Sequence, residues 1–204
     1  MDTNTLTIKD IISESLNNSM TYADYRILVS NLVAKNSTTG NDKSEDLVAY
    51  TQLNDRRMRR WDKTAKVSEE IKSFIENYTK KITWLVISES WCGDAAHIMP
   101  IINKVAELNA NIEYKIVLRD ENEALMDQFL TNGGKSIPKL VMLDSETNEV
   151  INTFGPRPTV ATNLVNAYKT EHGILTPAFK EDLQRWYNID KGQSTIADLV
   201  RLLS

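Results

Sequence analysis

Cys92 is the only cysteine in the chain, and it sits in Trp91-Cys92-Gly93-Asp94-Ala95. A Cys-x-x-Cys pair attacks a disulfide with one thiolate and releases the product with the other. Ala95 holds the second position here, so Cys92 can make the first attack but cannot resolve the mixed disulfide within its own chain. The residues that follow predict a helix beginning at Gly93. A sulfur at a helix start faces unpaired backbone N–H groups and the positive end of the helix dipole, and both favour the nucleophilic thiolate. Asp94 pulls the other way, because a carboxylate in the same turn raises a thiol pKa by repulsion. Its plainer reading is an acid placed at a helix N-terminus for stability. His97 is the nearest candidate base, but its position turns it by about 500°, roughly 140° from the Cys92 direction. It falls closer to Asp94, with which it could pair, and is expected to be a structural or solvated imidazole instead of half of a Cys-His pair.

Three more charged residues belong to this inventory. Arg119 closes a predicted strand, and Arg157 lies in Gly155-Pro156-Arg157-Pro158. Sites in open α/β sheets gather at the carboxyl ends of strands. Both arginines could therefore approach Cys92 and bind the carboxylates of a low-molecular-weight thiol, or stabilise the thiolate. An ion pair of Arg119 with Asp120 or Glu121 is the competing reading. Glu89 precedes Cys92 at a strand end, where it could relay a proton or be solvated or capping.

The elements that position these residues follow from periodicity. Leu6, Ile8, Ile11, Ile12 and Leu16 recur at helical intervals, with Thr7 as a cap. Further helices are expected from about Thr21, from about Ser44 to Trp61, and from Ser68, with Asn36–Lys43 as a loop. Ile82–Ser88 is a short apolar run suited to a strand buried on both faces. A helix from Gly93 to about Leu108, a strand at Ile112–Leu118 and a helix at Glu123–Thr131 follow. Strands at Lys139–Leu143 and Glu149–Phe154 form an antiparallel hairpin, and a helix at Thr159–Glu171 follows it. Intervening helices predict parallel neighbours among the first three strands. Helices at Pro177–Tyr187 and Thr195–Leu203 finish the chain.

Composition narrows the classes. The net charge of −4 argues against a general nucleic-acid binder. The basic run Arg56-Arg57-Met58-Arg59-Arg60-Trp61 is expected to pack and to pair with Asp55, Asp62 or the sheet. A single cysteine excludes an internal disulfide and a Cys-only zinc site. There is no dinucleotide or phosphate-loop glycine motif and no zinc motif, so no cofactor or metal is expected. Met1-Asp2-Thr3-Asn4 carries no leader pattern, and no run reaches the length of a membrane span, so a cytoplasmic location without membrane partners is expected.

The segment Trp91-Cys92-Gly93-Asp94-Ala95-Ala96-His97-Ile98-Met99-Pro100 resembles the active-site segment of the thioredoxin family, in its tryptophan, cysteine, glycine and downstream proline. Ser136-Ile137-Pro138 resembles the family's cis-proline loop, and Phe154–Pro158 falls where thioredoxins have a third loop beside the thiol. Glu89–Ala96, Asn132–Pro138 and Gly155–Pro158 together resemble a thioredoxin-like subfamily with one thiol and flanking helices. The resemblance implies a role for the Ile137 backbone and Pro138 in holding an extended substrate, as an added strand. It also implies substrate contacts at Trp91, Gly93, Asp94, Gly155 and Arg157. Val86 stands where thioredoxins have a buried aspartate that helps move protons.

The expected fold is α/β and thioredoxin-like: a mixed sheet of about four strands flanked by helices. Residues 1–80 form a helical N-terminal extension, 81–173 the thioredoxin-like domain, and 174–204 a helical tail packed on it. The expected function is thiol–disulfide exchange, with Cys92 as the catalytic nucleophile and an external resolving thiol. The partner is a protein or low-molecular-weight disulfide or thiol. The alternatives are a catalytically inactive protein-binding module and a redox sensor capped at Cys92. The oligomeric state is left open.

Overall fold

The computed structural model describes residues 6–204. The leader reading of Met1–Asn4 lies outside the described residues. Four helices come first: α1 (Ile8–Asn17), α2 (Tyr22–Ala34), α3 (Glu45–Thr64) and α4 (Glu69–Glu76). Thr7 and Thr21 each close a reciprocal capping box, with Asp10 and Asp24, so two orphan amides at each helix start are satisfied locally. The central unit runs β1 (Ile82–Ser88), α5 (Gly93–Ala106), β2 (Ile112–Leu118), α6 (Glu123–Gln128), β3 (Lys139–Asp144), β4 (Val150–Phe154) and α7 (Thr159–His172). Helices α8 (Pro177–Asp190) and α9 (Gln193–Leu203) follow. Among the described residues, no helix is long and apolar enough to cross a membrane.

The four strands lie in the order β2-β1-β3-β4. β1 and β2 are parallel, whereas β3 runs antiparallel to β1 and β4 antiparallel to β3. The expectation of parallel neighbours therefore holds for β1–β2 and fails for β1–β3. Helix length explains the difference. The 14 residues of α5 span about 21 Å, enough to carry the chain back along the roughly 23 Å of β1. The six residues of α6 span only about 9 Å, so the chain re-enters the sheet near the end it left. Lys139 consequently pairs beside Ile87, at the carboxyl end of β1. The short helix thus delivers the Ile137-Pro138 loop to the strand end that carries Cys92.

β1 is buried along its whole length, as its uninterrupted apolar run requires, and Val86 lies fully inside. One apolar core joins the sheet to residues of α1, α2, α3, α8 and α9. Between α1 and α2, Met20 exchanges both backbone hydrogen bonds with Ile116, at 2.9 Å each, so the free edge of β2 is partly covered. At the α8–α9 turn, Gly192 adopts φ 81°, and a Cβ there would stand 2.6 Å from the Ile101 side chain. Only glycine lets the tail approach α5 this closely.

Candidate functional site

Cys92 is the residue that caps α5, and it is 7 % exposed. Its Sγ donates to the Ile137 carbonyl at 3.2 Å. The Ile137–Pro138 and Gly155–Pro156 peptide bonds are both cis. Gly155 has φ 108°, and a Cβ there would overlap the Pro138 carbonyl oxygen, so glycine is what lets the two proline loops touch. Two helices fix the second loop: Asp198 of α9 accepts from the Thr159 backbone N–H at 2.6 Å, and the Thr162 hydroxyl of α7 donates to the Arg157 carbonyl at 3.3 Å. Cys92, Ile137, Pro138, Gly155 and Arg157, distant in sequence, thus surround one corner.

The electrostatics of the thiol differ from what its helix position alone predicts. Burial pushes the Cys92 pKa up to about 12, and the Asp94 charge adds to this. The backbone N–H groups of Ala95 and Asp94, and the Arg157 guanidinium, pull it down without prevailing. Desolvation outweighs the helix start because an anion loses bulk hydration and gains only a few partial charges. Cys92 therefore rests as a thiol. Asp94 is tied on two sides: Arg157 Nη2 lies 2.7 Å from one carboxylate oxygen, and the Tyr187 hydroxyl donates to the other at 2.8 Å. Burial raises the Asp94 carboxyl, against the opposing pull of Arg157.

His97 does not pair with Asp94. It is 3 % exposed, which rules out the solvated reading. Trp61 Nε1 lies 2.9 Å from His97 Nδ1, and an indole nitrogen only donates, so Nδ1 accepts and the proton sits on Nε2. Nε2 then donates to Gln184 Oε1 at 2.9 Å. Tyr187 stands between His97 and Asp94, stacking on the imidazole at 4.5 Å while its hydroxyl takes the carboxylate. Burial drives the His97 pKa down to about 3, so the ring stays neutral and structural.

Glu89 is fully buried, so it is not solvated. Its Oε1 accepts from the Asp120 backbone N–H at 2.9 Å, capping the turn after β2, while Oε2 has no hydrogen-bond partner among the described residues. Burial raises its pKa. Arg119 does not reach the thiol. It pairs with Asp120 at 2.8 Å and lies 4.9 Å from the Trp91 ring centroid, a cation–π contact that holds the half-buried indole. In the basic run, Arg59 pairs with Asp55, and Arg60 lies over Trp61 and donates to Asn188. Asp62 pairs instead with Arg26 of α2.

Two features escape sequence reasoning. The loop before α3 buries Thr38 and Thr39 in a hydroxyl cluster with Thr51 and Ser90. Ser90 Oγ receives the Thr39 backbone N–H at 3.0 Å, and Ser90 N–H donates to Thr39 Oγ1 at 2.8 Å. Asn54 of α3 donates to the Ser90 carbonyl at 3.0 Å, so the N-terminal helices clamp the turn that presents Cys92. α2 also brings buried Tyr25 close to Cys92 and Glu89, and burial followed by their charges raises its phenol above the ordinary range. A run of small hydroxyl residues in a loop was the only available sequence signal.

Residues 40–169 match the family model described as Thioredoxin, well over half the chain. The chain belongs to the thioredoxin family. A crystal structure of a Pseudomonas aeruginosa protein of unknown function is similar over 93 % of this chain and 95 % of its own, with TM-score 0.62 and 16 % identity. An HIV epitope-scaffold is similar over 90 % of this chain and 97 % of its own, with TM-score 0.56 and 17 % identity. At these identities the likeness is one of fold. No curated protein matches the sequence.

Proposed function

We propose that this thioredoxin-family protein carries out thiol–disulfide exchange with Cys92 as its single nucleophile. The observation that carries the reading is the seat of the Cys92 sulfur, at the start of α5 and 3.2 Å from the Ile137 carbonyl on the proline loop. An extended substrate segment pairing with the Ile137 backbone as an added strand competes for that carbonyl and removes the acceptor that stabilises the thiol. The Cys92 thiolate then attacks a disulfide sulfur, forming a mixed disulfide and expelling the other sulfur as a thiolate, which takes up a proton. Ala95 offers no second thiol, so an external thiol attacks the mixed disulfide, becomes oxidised and returns Cys92. Trp91, Gly93, Asp94, Gly155 and Arg157 shape the approach. A cytoplasmic setting suits a lone cysteine that must stay reduced.

The burial of the thiol favours a second reading, a protein-binding module that keeps the fold without turnover. Intact-mass detection of a disulfide adduct, with Cys92→Ser as control, separates the two. Exchange predicts an adduct on the wild type and none on the variant. The absence of any adduct, under conditions where the unfolded chain forms one, removes the exchange reading and leaves the binding module.

A further inference from the structure

A cavity of about 490 Å³ opens beside the Cys92 turn, with Gly93 and Asp94 in its wall. Helix α3 supplies Arg57, α8 supplies Lys180 and Gln184, and the second proline loop supplies Arg157. The size falls in the range of about 300–1,000 Å³ typical of small-molecule sites. Of its two carboxylates, Asp94 pairs with Arg157 within the lining at 2.7 Å, and Glu181 lies 3.7 Å from Arg185 on the exposed face of α8, leaving three cations against two carboxylates. Arg57 has no carboxylate partner among the described residues. Its Nη1 donates to the neutral Asn54 side chain at 3.0 Å, and it is half-buried. Lys180 is likewise without a carboxylate partner among the described residues, so the cavity presents a net positive lining. Gly93 forms the floor beneath these groups: a Cβ there would be in ordinary van der Waals contact, 3.7 Å from Arg57 Nη1 and 3.9 Å from the Gln184 amide. Leu53, Leu175 and Pro177 supply an apolar wall for methylene groups.

We propose that this cavity binds an anionic low-molecular-weight thiol through its carboxylates, with Arg57 and Lys180 as the receptor, and so selects the small partner of Cys92. The inference deepens the exchange reading and rests on it for its chemistry. Cys92 itself does not line the cavity, but Gly93 and Asp94, the two residues that follow it, do, so a molecule held there lies beside the turn that carries the thiol. In the first step, Cys92 thiolate attacks the mixed disulfide between the small thiol and a substrate thiol. A bond forms between Cys92 and the small molecule's sulfur, and the substrate leaves as a thiolate and is protonated. A second small thiol then attacks the small-molecule sulfur, releasing Cys92 as a thiolate and forming the symmetric disulfide, so the substrate sulfur is reduced to a thiol as one free small thiol is oxidised.

The test is a charge series of disulfide probes at equal concentration, read as the rate of Cys92 adduct formation by intact mass. The probes are glutathione disulfide, neutral 2-hydroxyethyl disulfide and cationic cystamine, each normalised to its rate with a short model peptide thiol. Glutathione disulfide is expected to exceed the neutral probe by about tenfold or more, as charge-assisted contacts allow, and cystamine to be slowest. The ratio of glutathione disulfide to neutral probe should fall toward one in the Arg57→Gln/Lys180→Gln double variant. A wild-type ratio near one, or a ratio unchanged in the double variant, overturns the inference while leaving exchange intact. If no probe reacts, exchange itself fails, and calorimetric titration of S-methylglutathione into Cys92→Ser decides the cavity alone. Saturable binding that weakens about tenfold in the Arg57→Gln/Lys180→Gln background supports it, and no binding overturns it.

Discussion

The first turn of α5 separates two buried polar clusters that have solved the same problem differently. On one side, both ring nitrogens of His97 are hydrogen-bonded, to Trp61 and Gln184, and its face is covered by Tyr187. On the other side, around Cys92, Arg157 Nε and Glu89 Oε2 are buried with no hydrogen-bond partner among the described residues, and Arg57 faces an open cavity. A closed network rigidifies, because exchanging any member leaves a desolvated group behind. An incompletely paired cluster can take new partners at lower cost. The histidine, a residue suggestive of catalysis by type, is structural, whereas the Cys92 corner keeps buried polar atoms without partners among the described residues.

The contrast is broken most severely at the closed cluster. Replacing His97 with Ala removes the acceptor of a buried indole N–H and leaves a void, at an expected cost of about 3 kcal/mol in urea unfolding. The same cluster sets a pH dependence. The pKa of His97 falls from 6.5 to about 3 on folding, so between these values the unfolded chain binds a proton that the folded chain refuses. Stability therefore rises with pH across this window and is lost as pH falls from about 6.5 toward 3, by at most about 1.4 kcal/mol per pH unit. His97→Gln should flatten the profile relative to wild type over this window. Superimposable wild-type and His97→Gln profiles would show that the ring is not held neutral by its surroundings.

A smaller effect sharpens the open side. The Asp94 charge helps to hold Cys92 as a thiol, and it also offsets the Arg157 cation that favours the thiolate. Asp94→Asn alters both influences in the same direction. The Cys92 pKa should fall, and alkylation by iodoacetamide at pH 8 should accelerate about tenfold, the ratio that one pKa unit produces well below the pKa. A rate equal to or below wild type would mean that burial alone controls the thiol.

These two sides were unequally legible in the sequence. Local periodicity placed the strands and helices within a few residues, because each element satisfies its own backbone bonds and shows its buried face as a repeat. The antiparallel β3 was missed because a helix between two strands was read as a crossover whatever its length, and α6, which ends at Gln128, is too short to make one. The geometry of the thiol corner depends on contacts with no local signature: Tyr187 on Asp94, Arg57 beside Gly93, and Thr38 and Thr39 under Ser90. Spacing on α5 did show that His97 points away from Cys92, but not that Trp61 and Gln184 would enclose it. The direction of the Cys92 pKa was unreadable for the same reason. The helix start is a local feature, whereas burial is produced by segments far apart in the chain.

The smallest expected effect lies at Glu89, where the two behaviours meet in one side chain. One carboxyl oxygen caps the turn at Asp120 and the other has no hydrogen-bond partner among the described residues, so the group is half closed and half open. Burial raises its folded pKa above 4.5, so the folded chain retains a proton that the unfolded chain releases. The stability it contributes is complete below the unfolded value and declines as pH rises through the folded one. Glu89→Gln keeps an acceptor for the Asp120 N–H and removes the ionisable group. The variant should therefore be more stable than wild type at pH 7, by less than about 1 kcal/mol, with the advantage shrinking toward pH 4. Urea midpoints at the two pH values measure this directly. An advantage that grows toward low pH would place a charged carboxylate in the folded state and make Glu89 a member of the closed network after all.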